Sequence, residues 1–434
     1  MKIPSVKGFH DVLPGESARW AWIEQQAREL CGRYGFSEIR IPIVERTELF
    51  SRSIGDTTDI VEKEMYTFED RDGSSLTLRP EGTASIVRAY VEHTMQLKEP
   101  VSKLCYFGPM FRRERPQKGR LRQFSQIGVE VIGRDDAAVD AEVLLLLHDL
   151  LTVLEIRRPQ IELNSLGDAT CRPGYRDALL AFGRAHRAAL CENCSRRLER
   201  NPLRLLDCKN PECHAVTADA PLMVDHLCGP CRAHFDAVCA VLQREGVAYR
   251  LNPRMVRGLD YYVRTAFDVV AEGLGSQNAV GGGGRYDGLV KGLGGPDIPG
   301  VGFALGVERL VLSMADHAGA ASPAPEVFIA PLGAAAETEA MHLAHRWRRD
   351  GVRVEMTSGG KSLKSQMRLA DKLGAPYVLI IGEDELAAQA LTVRDMAAKR
   401  DFARAIELSS SGTTLREALT QLAHQSLEQR EQRA

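Results

Sequence analysis

Nothing in this chain approaches the roughly twenty consecutive apolar residues that cross a bilayer; stretches such as 143–147 are far shorter. No membrane partner is therefore expected. The N-terminal MKIPSVKGFHDVLPG has no apolar run behind its lysines, so no secretory signal is expected either. An excess of one charge is also missing, since 56 Lys and Arg stand against 58 Asp and Glu, for a formal charge of −2. Nucleic acid would have to be held by local patches, not by the net field. The chain has no GxxxxGK[ST] phosphate loop and no GxGxxG opening a βαβ unit, so a nucleotide site would have to be built on an antiparallel sheet. Ten cysteines without a secretory signal point to a reducing compartment, with thiols free or metal-bound. The expected location is cytoplasmic.

What is present is organised around 111–130, FRRERPQKGRLRQFSQIGVE. Arg112, Arg113, Arg115, Lys118, Arg120 and Arg122 surround Pro116 and Gly119, between an apolar lead-in (104–111) and an alternating exit through Phe124, Ile127, Val129 and Val131. The pattern predicts a cationic hairpin. Because Arg112, Gln126 and Glu130 fall on or beside the strands and not at the tip, it reads as a phosphate-holding site more than a solubilising loop.

At 434 residues two or three domains are expected. Ser17 is a candidate cap for a helix over 18–34, followed by a strand over 36–44 stopped at Pro42. Residues 64–79 predict a hairpin turning at Asp72-Gly73, then Glu81, Gly82 and Thr83 lead into a helix over 84–97. A further amphipathic helix covers 136–154. From 167 to about 247 the pattern is helical, with six cysteines in 191–231, and it interrupts strand-rich sequence as an insertion. Strands resume at 254, around Arg257 to Tyr262, then Gly281 to Gly288, then 300–313 with Arg309. An Ala/Ser/Pro stretch over 316–325 reads as a linker. Beyond it a βαβαβ pattern predicts a small, mainly parallel sheet, followed by a polar surface helix after about 410.

Arg112, Arg257 and Arg309 lie at separate strand ends. Three planar, permanently charged forks around one pocket suit a triphosphate, whose displacement chemistry is mostly positioning and charge stabilisation. Cys191-x-x-Cys194, Cys208-x4-Cys213 and Cys228-x-x-Cys231 have zinc-site spacing, four of the six being expected to hold a structural Zn2+. Cys31, Cys105, Cys171 and Cys239 read as core residues. Lys361-Ser362-Leu363-Lys364-Ser365 imitates a class I synthetase loop, but it lies in the small C-terminal domain with no HIGH-type element before it. It is a coincidence.

These segments, in this order, resemble the histidyl-tRNA synthetases, a family of class II aminoacyl-tRNA synthetases. The residues carrying the likeness are 35–45 (motif 1), Arg79 to Thr83 (RPEGT, similar to the family's TLRPEGT element), 111–114 (motif 2), Arg257 to Tyr262 (RGLDYY), Gly282 to Gly288 (GGGRYDG) and Gly302 to Leu310 (motif 3). The resemblance implies an α+β catalytic core on an antiparallel sheet over 1–320, carrying the helical insertion, and a C-terminal α/β anticodon-binding domain over 326–434, with 321–325 ending the linker. It implies ATP-dependent attachment of L-histidine to tRNA(His) through histidyl-adenylate, with Mg2+ arriving on the ATP, and a homodimer. Glu81, Gly82, Thr83 and Gln126 match residues around the substrate's ammonium group. Glu130 and Tyr262, with Tyr261 and Tyr286 nearby, match those reading the imidazole. Arg112 and Arg257 match catalytic arginines at the α-phosphate and substrate carboxylate, and Arg112, Glu114, Arg120 and Arg309 are the expected ATP contacts. A non-catalytic, histidine-sensing regulatory subunit is the alternative. Retention of Arg112, Arg257, Arg309 and the C-terminal domain argues against it.

Overall fold

The computed structural model describes residues 3–55, 58, 60–199, 201–208, 210–256, 259, 261–274, 278–315 and 324–431. The chain divides into two compact units, Met1–Ala320 and Ala321–Ala434. The linker expected over 316–325 falls mostly outside the described residues.

The larger unit is built on an eight-stranded sheet in the order Ser37–Glu38, Ser102–Phe111, Gln123–Ile132, Gly300–Gly306, Ala279–Arg285, Val263–Val270, Gln160–Ser165, Tyr249–Leu251. The inner six strands are antiparallel, and each edge strand is added in parallel. Side chains alternate across a pleated strand, so the hairpin sorts its residues onto two faces. Ile127, Val129 and Val131 enter the main core with Ile23 and Leu30 of the helix Glu16–Arg33 and Leu144, Leu147 and Leu151 of the helix Ala137–Val153. Gln126, Gly128 and Glu130 consequently face the other way. That opposite face carries a second core, in which Ile86, Tyr90, Leu104, Tyr106, Tyr286 and Leu289 meet.

The helix Gly229–Arg244 sends Phe235, Val238 and Leu242 into the main core, so the end of the segment read as an insertion is also part of the sheet's support. Its His234 takes part in a buried polar cluster. Arg285, fully buried, donates through Nε to Asp140 (3.1 Å) and through Nη1 to Asp287 (2.9 Å), while His234 Nε2 lies 2.7 Å from Asp140 Oδ2. Burial opposes the charge on Asp140, but His234 and Arg285 together hold its carboxyl below the ordinary value. Removing Asp140 would leave the buried Arg285 with Asp287 alone of these two carboxylates. Asp140→Ala is expected to cost about 3–5 kcal/mol, read as a lowered urea midpoint of the larger unit.

Several local expectations shift. The first helix begins at Glu16, not behind a Ser17 cap; Gly15 stands at the cap position and no side chain caps it. The strand expected over 36–44 is reduced to Ser37–Glu38, with Val44–Arg46 in a separate three-stranded sheet. Between them the chain wraps Arg79, whose Nη1 takes the carbonyls of Ile41 (2.6 Å) and Pro42 (3.2 Å). The helix after Thr83 ends at Glu92, and a 3-10 turn, Met95–Leu97, follows.

In the smaller unit the five strands run Val354–Met356, Val327–Pro331, Tyr377–Ile381, Ala390–Asp395, Arg400–Glu407. The first three are parallel and the last two antiparallel, so the sheet is mixed; the pattern reading stopped before the hairpin over 390–407. The last helix, Gly412–Glu431, is more than a polar surface element, because Leu415, Leu419 and Leu422 bury one face against the core that holds Trp347.

Candidate active site on the antiparallel sheet

The face carrying Gln126 and Glu130 forms a small polar chamber. Glu81 lies just before the helix Thr83–Glu92 and accepts the backbone N–H groups of Thr83 (2.7 Å) and Ala84 (2.8 Å). Glu81 thus caps the start of this helix. Thr83 Oγ1 donates to Glu130 Oε1 (2.7 Å), and Tyr286 Oη donates to Glu130 Oε2 (2.6 Å). Burial drives the Glu130 carboxyl up to about 8, and Glu81 adds to the rise, against the pull of the two hydroxyls. Burial raises Glu81 as well, with the backbone N–H groups and nearby Arg112 opposing it.

Tyr106, which pattern reading did not single out, lies between Gly82 and Gly128. A Cβ on either glycine would come within 2.4 or 2.3 Å of its ring. A glycine paired across the hairpin from an aromatic residue, Tyr106 to Gly128, was the available signal. At Gly302 a Cβ would strike Glu130 Oε2 at 2.0 Å, so the strand Gly300–Gly306 must be bare where the carboxylate lies. The rings of Tyr261 and Tyr262 are 4.7 Å apart, and those of Tyr261 and Tyr286 6.0 Å. The Tyr106 and Tyr261 hydroxyls and Gln126 Oε1 are buried without a hydrogen-bond partner, which costs about 1–3 kcal/mol each unless a ligand supplies one. Two buried carboxyls among unpartnered oxygens fit a polar ligand that brings N–H donors and positive charge.

Next to this chamber lies a cavity of about 410 Å3, lined by Arg112, Glu114, Arg120, Gln126, Glu308 and Arg309 among others. All four residues expected at ATP are therefore on its wall. Arg112 donates from Nε to the Pro80 carbonyl (2.8 Å) and lies over the Phe124 ring at 5.4 Å. The loop is braced from beneath: Arg309 donates from Nε to the Gly119 carbonyl (3.0 Å) and from Nη1 to that of Ala279. Arg120 pairs with Glu114. Burial lowers the pKa of all three cavity arginines, yet the group remains a cation at neutral pH. Glu308 was also missed; it accepts the Ser125 N–H (2.9 Å), and burial pushes its carboxyl up to about 7. Arg257, the remaining arginine of the sequence triad, lies outside the described residues.

The six candidate zinc cysteines do not converge. Cys191, Cys194, Cys208 and Cys213 have their sulfurs within 4.8 Å of one another. Cys228 and Cys231 instead meet Cys171 and Asp168, again within 4.8 Å. Cys171, read as a core residue, is buried but belongs to this second group. No sequence spacing connects 168–171 with 228–231, so periodicity and motif gave no sign of it.

Comparison with known proteins agrees with this arrangement. The profile described as histidyl-tRNA synthetase matches residues 8–310, and that of an anticodon-binding domain matches 326–417. The histidine–tRNA ligase of Trichlorobacter lovleyi is 55% identical over 397 residues, 92% of this chain and 94% of its own length. That of Geobacter sulfurreducens is 55% identical over 394 residues, covering 91% and 95%. The apo histidyl-tRNA synthetase of S. aureus superposes with a TM-score of 0.77 at 36% identity, over 93% of this chain and 96% of that one. A protein of Bacillus halodurans described as an ATP phosphoribosyltransferase regulatory subunit/histidyl-tRNA synthetase shares the fold at 21% identity and a TM-score of 0.63, over 88% and 99%. The profile match over most of the chain, together with 55% identity along more than nine-tenths of it, shows that the chain belongs to the histidyl-tRNA synthetase family.

Proposed function

We propose that this chain charges tRNA(His) with L-histidine in two steps on the described sheet face. The histidine carboxylate attacks the α-phosphorus of ATP, the bond to the β-phosphate breaks, and pyrophosphate leaves. The 3′-terminal hydroxyl of the tRNA then attacks the histidyl carbonyl, and AMP departs. The carrying observation is adjacency: Arg112 and Gln126 line the arginine-rich cavity, while the two buried carboxyls lie in the neighbouring chamber.

Within that reading, Glu81, Thr83 and Gln126 supply oxygen acceptors for the ammonium, with Gly82 leaving room beside them. Glu130 and Tyr262, flanked by Tyr261 and Tyr286, read the imidazole. Arg112 and Arg257 stabilise charge at the α-phosphate and the carboxylate, Arg309 holds the far phosphates, and Glu114 and Arg120 complete the nucleotide wall. Mg2+ accompanies the ATP phosphates, as is general for hard oxygen donors. The smaller unit binds the anticodon, its exposed Lys361 and Lys364 flanking the start of the helix Leu363–Lys372.

Exposed apolar residues Ile43, Val44 and Phe68, at and beside the small sheet near motif 1, support a homodimer through that edge. Cys191, Cys194, Cys208 and Cys213 suit a structural Zn2+: the Cys191 and Cys208 sulfurs are 3.9 Å apart, against about 3.8 Å for thiolates on one tetrahedral ion. Among the described residues no helix is long and apolar enough to cross a membrane, and we place the protein in the cytoplasm.

Exchange of labelled pyrophosphate into ATP is the direct test. Exchange is expected with histidine and with no other amino acid. A folded protein that exchanges with none would return the chain to the regulatory alternative.

A further inference from the structure

Asp168, Cys171, Cys228 and Cys231 bring four potential ligand atoms together from segments about sixty residues apart. Cys171 Sγ lies 3.4 Å and Cys228 Sγ 4.0 Å from Asp168 Oδ1. A tetrahedral zinc ion with bonds of about 2.3 Å to sulfur and about 2.0–2.2 Å to oxygen sets its ligands roughly 3.5–3.8 Å apart, so little movement would bring all four onto one ion. The backbone N–H of Cys228 donates to Cys171 Sγ (3.1 Å). The other cysteine group uses the same device, with the N–H of Cys191 on Cys213 Sγ (3.0 Å). Such donors favour the thiolate, which is the form a metal takes. The turn is tight behind the cluster: Gly167 has φ +60°, and a Cβ there would come within 2.1 Å of Met223 Cε and 3.0 Å of Cys171 Cβ. A disulfide would consume two cysteines and leave a thiol and a carboxylate crowded in the same space.

We propose that these four residues hold a second zinc ion, separate from any ion on Cys191, Cys194, Cys208 and Cys213, and that it clamps the base of the insertion to the strand behind Tyr262. The link runs through the backbone. Arg172, next to Cys171, donates from Nε to the Leu166 carbonyl (3.1 Å) and from Nη2 to the Tyr262 carbonyl. Leu166 N–H meets the Arg264 carbonyl (2.7 Å), and Arg264 N–H meets that of Gly167 (2.8 Å). The ion joins Asp168 and Cys171, at the entry of the insertion, to Cys228 and Cys231, at the start of the helix Gly229–Arg244. Cys171 and Asp168 are thus positioning residues for Tyr262.

Elemental analysis of the full-length protein, purified without chelator from zinc-supplemented cells, should find two zinc ions per chain. Cys228→Ser/Cys231→Ser should retain one, and so should Cys191→Ser/Cys194→Ser. X-ray absorption at the zinc edge of the unmodified protein needs no variant to fold; it should give about 3.5 sulfur and 0.5 oxygen neighbours per zinc, the mean of an all-sulfur and a three-sulfur site. A shell of four sulfurs, or zinc content unchanged in Cys228→Ser/Cys231→Ser, overturns the second site. The clamp itself rests on the proposed function: the same variant should raise the KM for histidine about tenfold with that for ATP held, and equal rises in both overturn the link to Tyr262. Absence of histidine-dependent activity in the unmodified protein would strike the functional reading and leave the metal count as it stands.

Discussion

Arg112→Ala is expected to slow histidine-dependent pyrophosphate exchange by at least about a thousandfold, the scale of losing a preorganised charge at a developing transition state. The guanidinium is held twice, through Nε on the Pro80 carbonyl and through Cζ over the Phe124 ring. Little reorganisation is then needed when phosphate charge appears. Burial lowers its pKa, with Glu64 and Glu81 opposing that, so the cation works in a weakly screened setting. Arg112→Lys keeps the charge and loses the planar fork, and most of the defect should remain. Rapid-quench measurement of adenylate formation checks both variants. Tight tRNA binding with slow adenylate formation is the expected combination; equal loss of the two would place Arg112 on the tRNA instead.

Glu130→Gln should lower kcat/KM for histidine by about a hundredfold or more, the worth of a charge-assisted hydrogen bond in a closed chamber. A pH effect accompanies it. The Glu130 carboxyl titrates near 8 in the folded protein against an ordinary 4.5, so the folded state binds the extra proton between those values. Stability from this group is accordingly lost as pH rises from about 4.5 to about 8. A ligand that offers N–H donors to the ionised carboxylate offsets that loss. The rise in Tm produced by histidine should therefore be larger at about pH 8.5 than at about pH 6.5, and Glu130→Gln should remove the difference. A histidine-induced shift in the unmodified protein that ignores pH would mean that Glu130 is ionised throughout.

Much of the site could be read from the chain because its parts are local. Arg79 to Thr83, the hairpin from Arg112 to Glu130, and Gly302 to Arg309 each sit where a strand meets a loop or helix, and each is a short segment whose side chains serve neighbouring positions. Strand alternation alone predicts that Gln126 and Glu130 share a face, and they do. Tyr106 escaped notice because its role depends on Gly82 and Gly128 leaving space on either side of it. Glu308 escaped because what marks it is burial against the Ser125 N–H, 183 residues away.

The order of motifs, the two-unit division of labour and the arginine chemistry follow from the chain's residue types and periods, which local backbone geometry translates directly into strands, turns and helices. The partition of seven clustered cysteines and Asp168 into two groups, and the buried junction of Arg285, Asp140 and His234, follow from folding. The link from Cys171 to Cys228 and the contacts of Asp140 with His234 and Arg285 join residues 57–145 apart in the chain. Their geometry is set by how the helices pack on the sheet, and no period or spacing along the chain encodes which distant side chain will arrive.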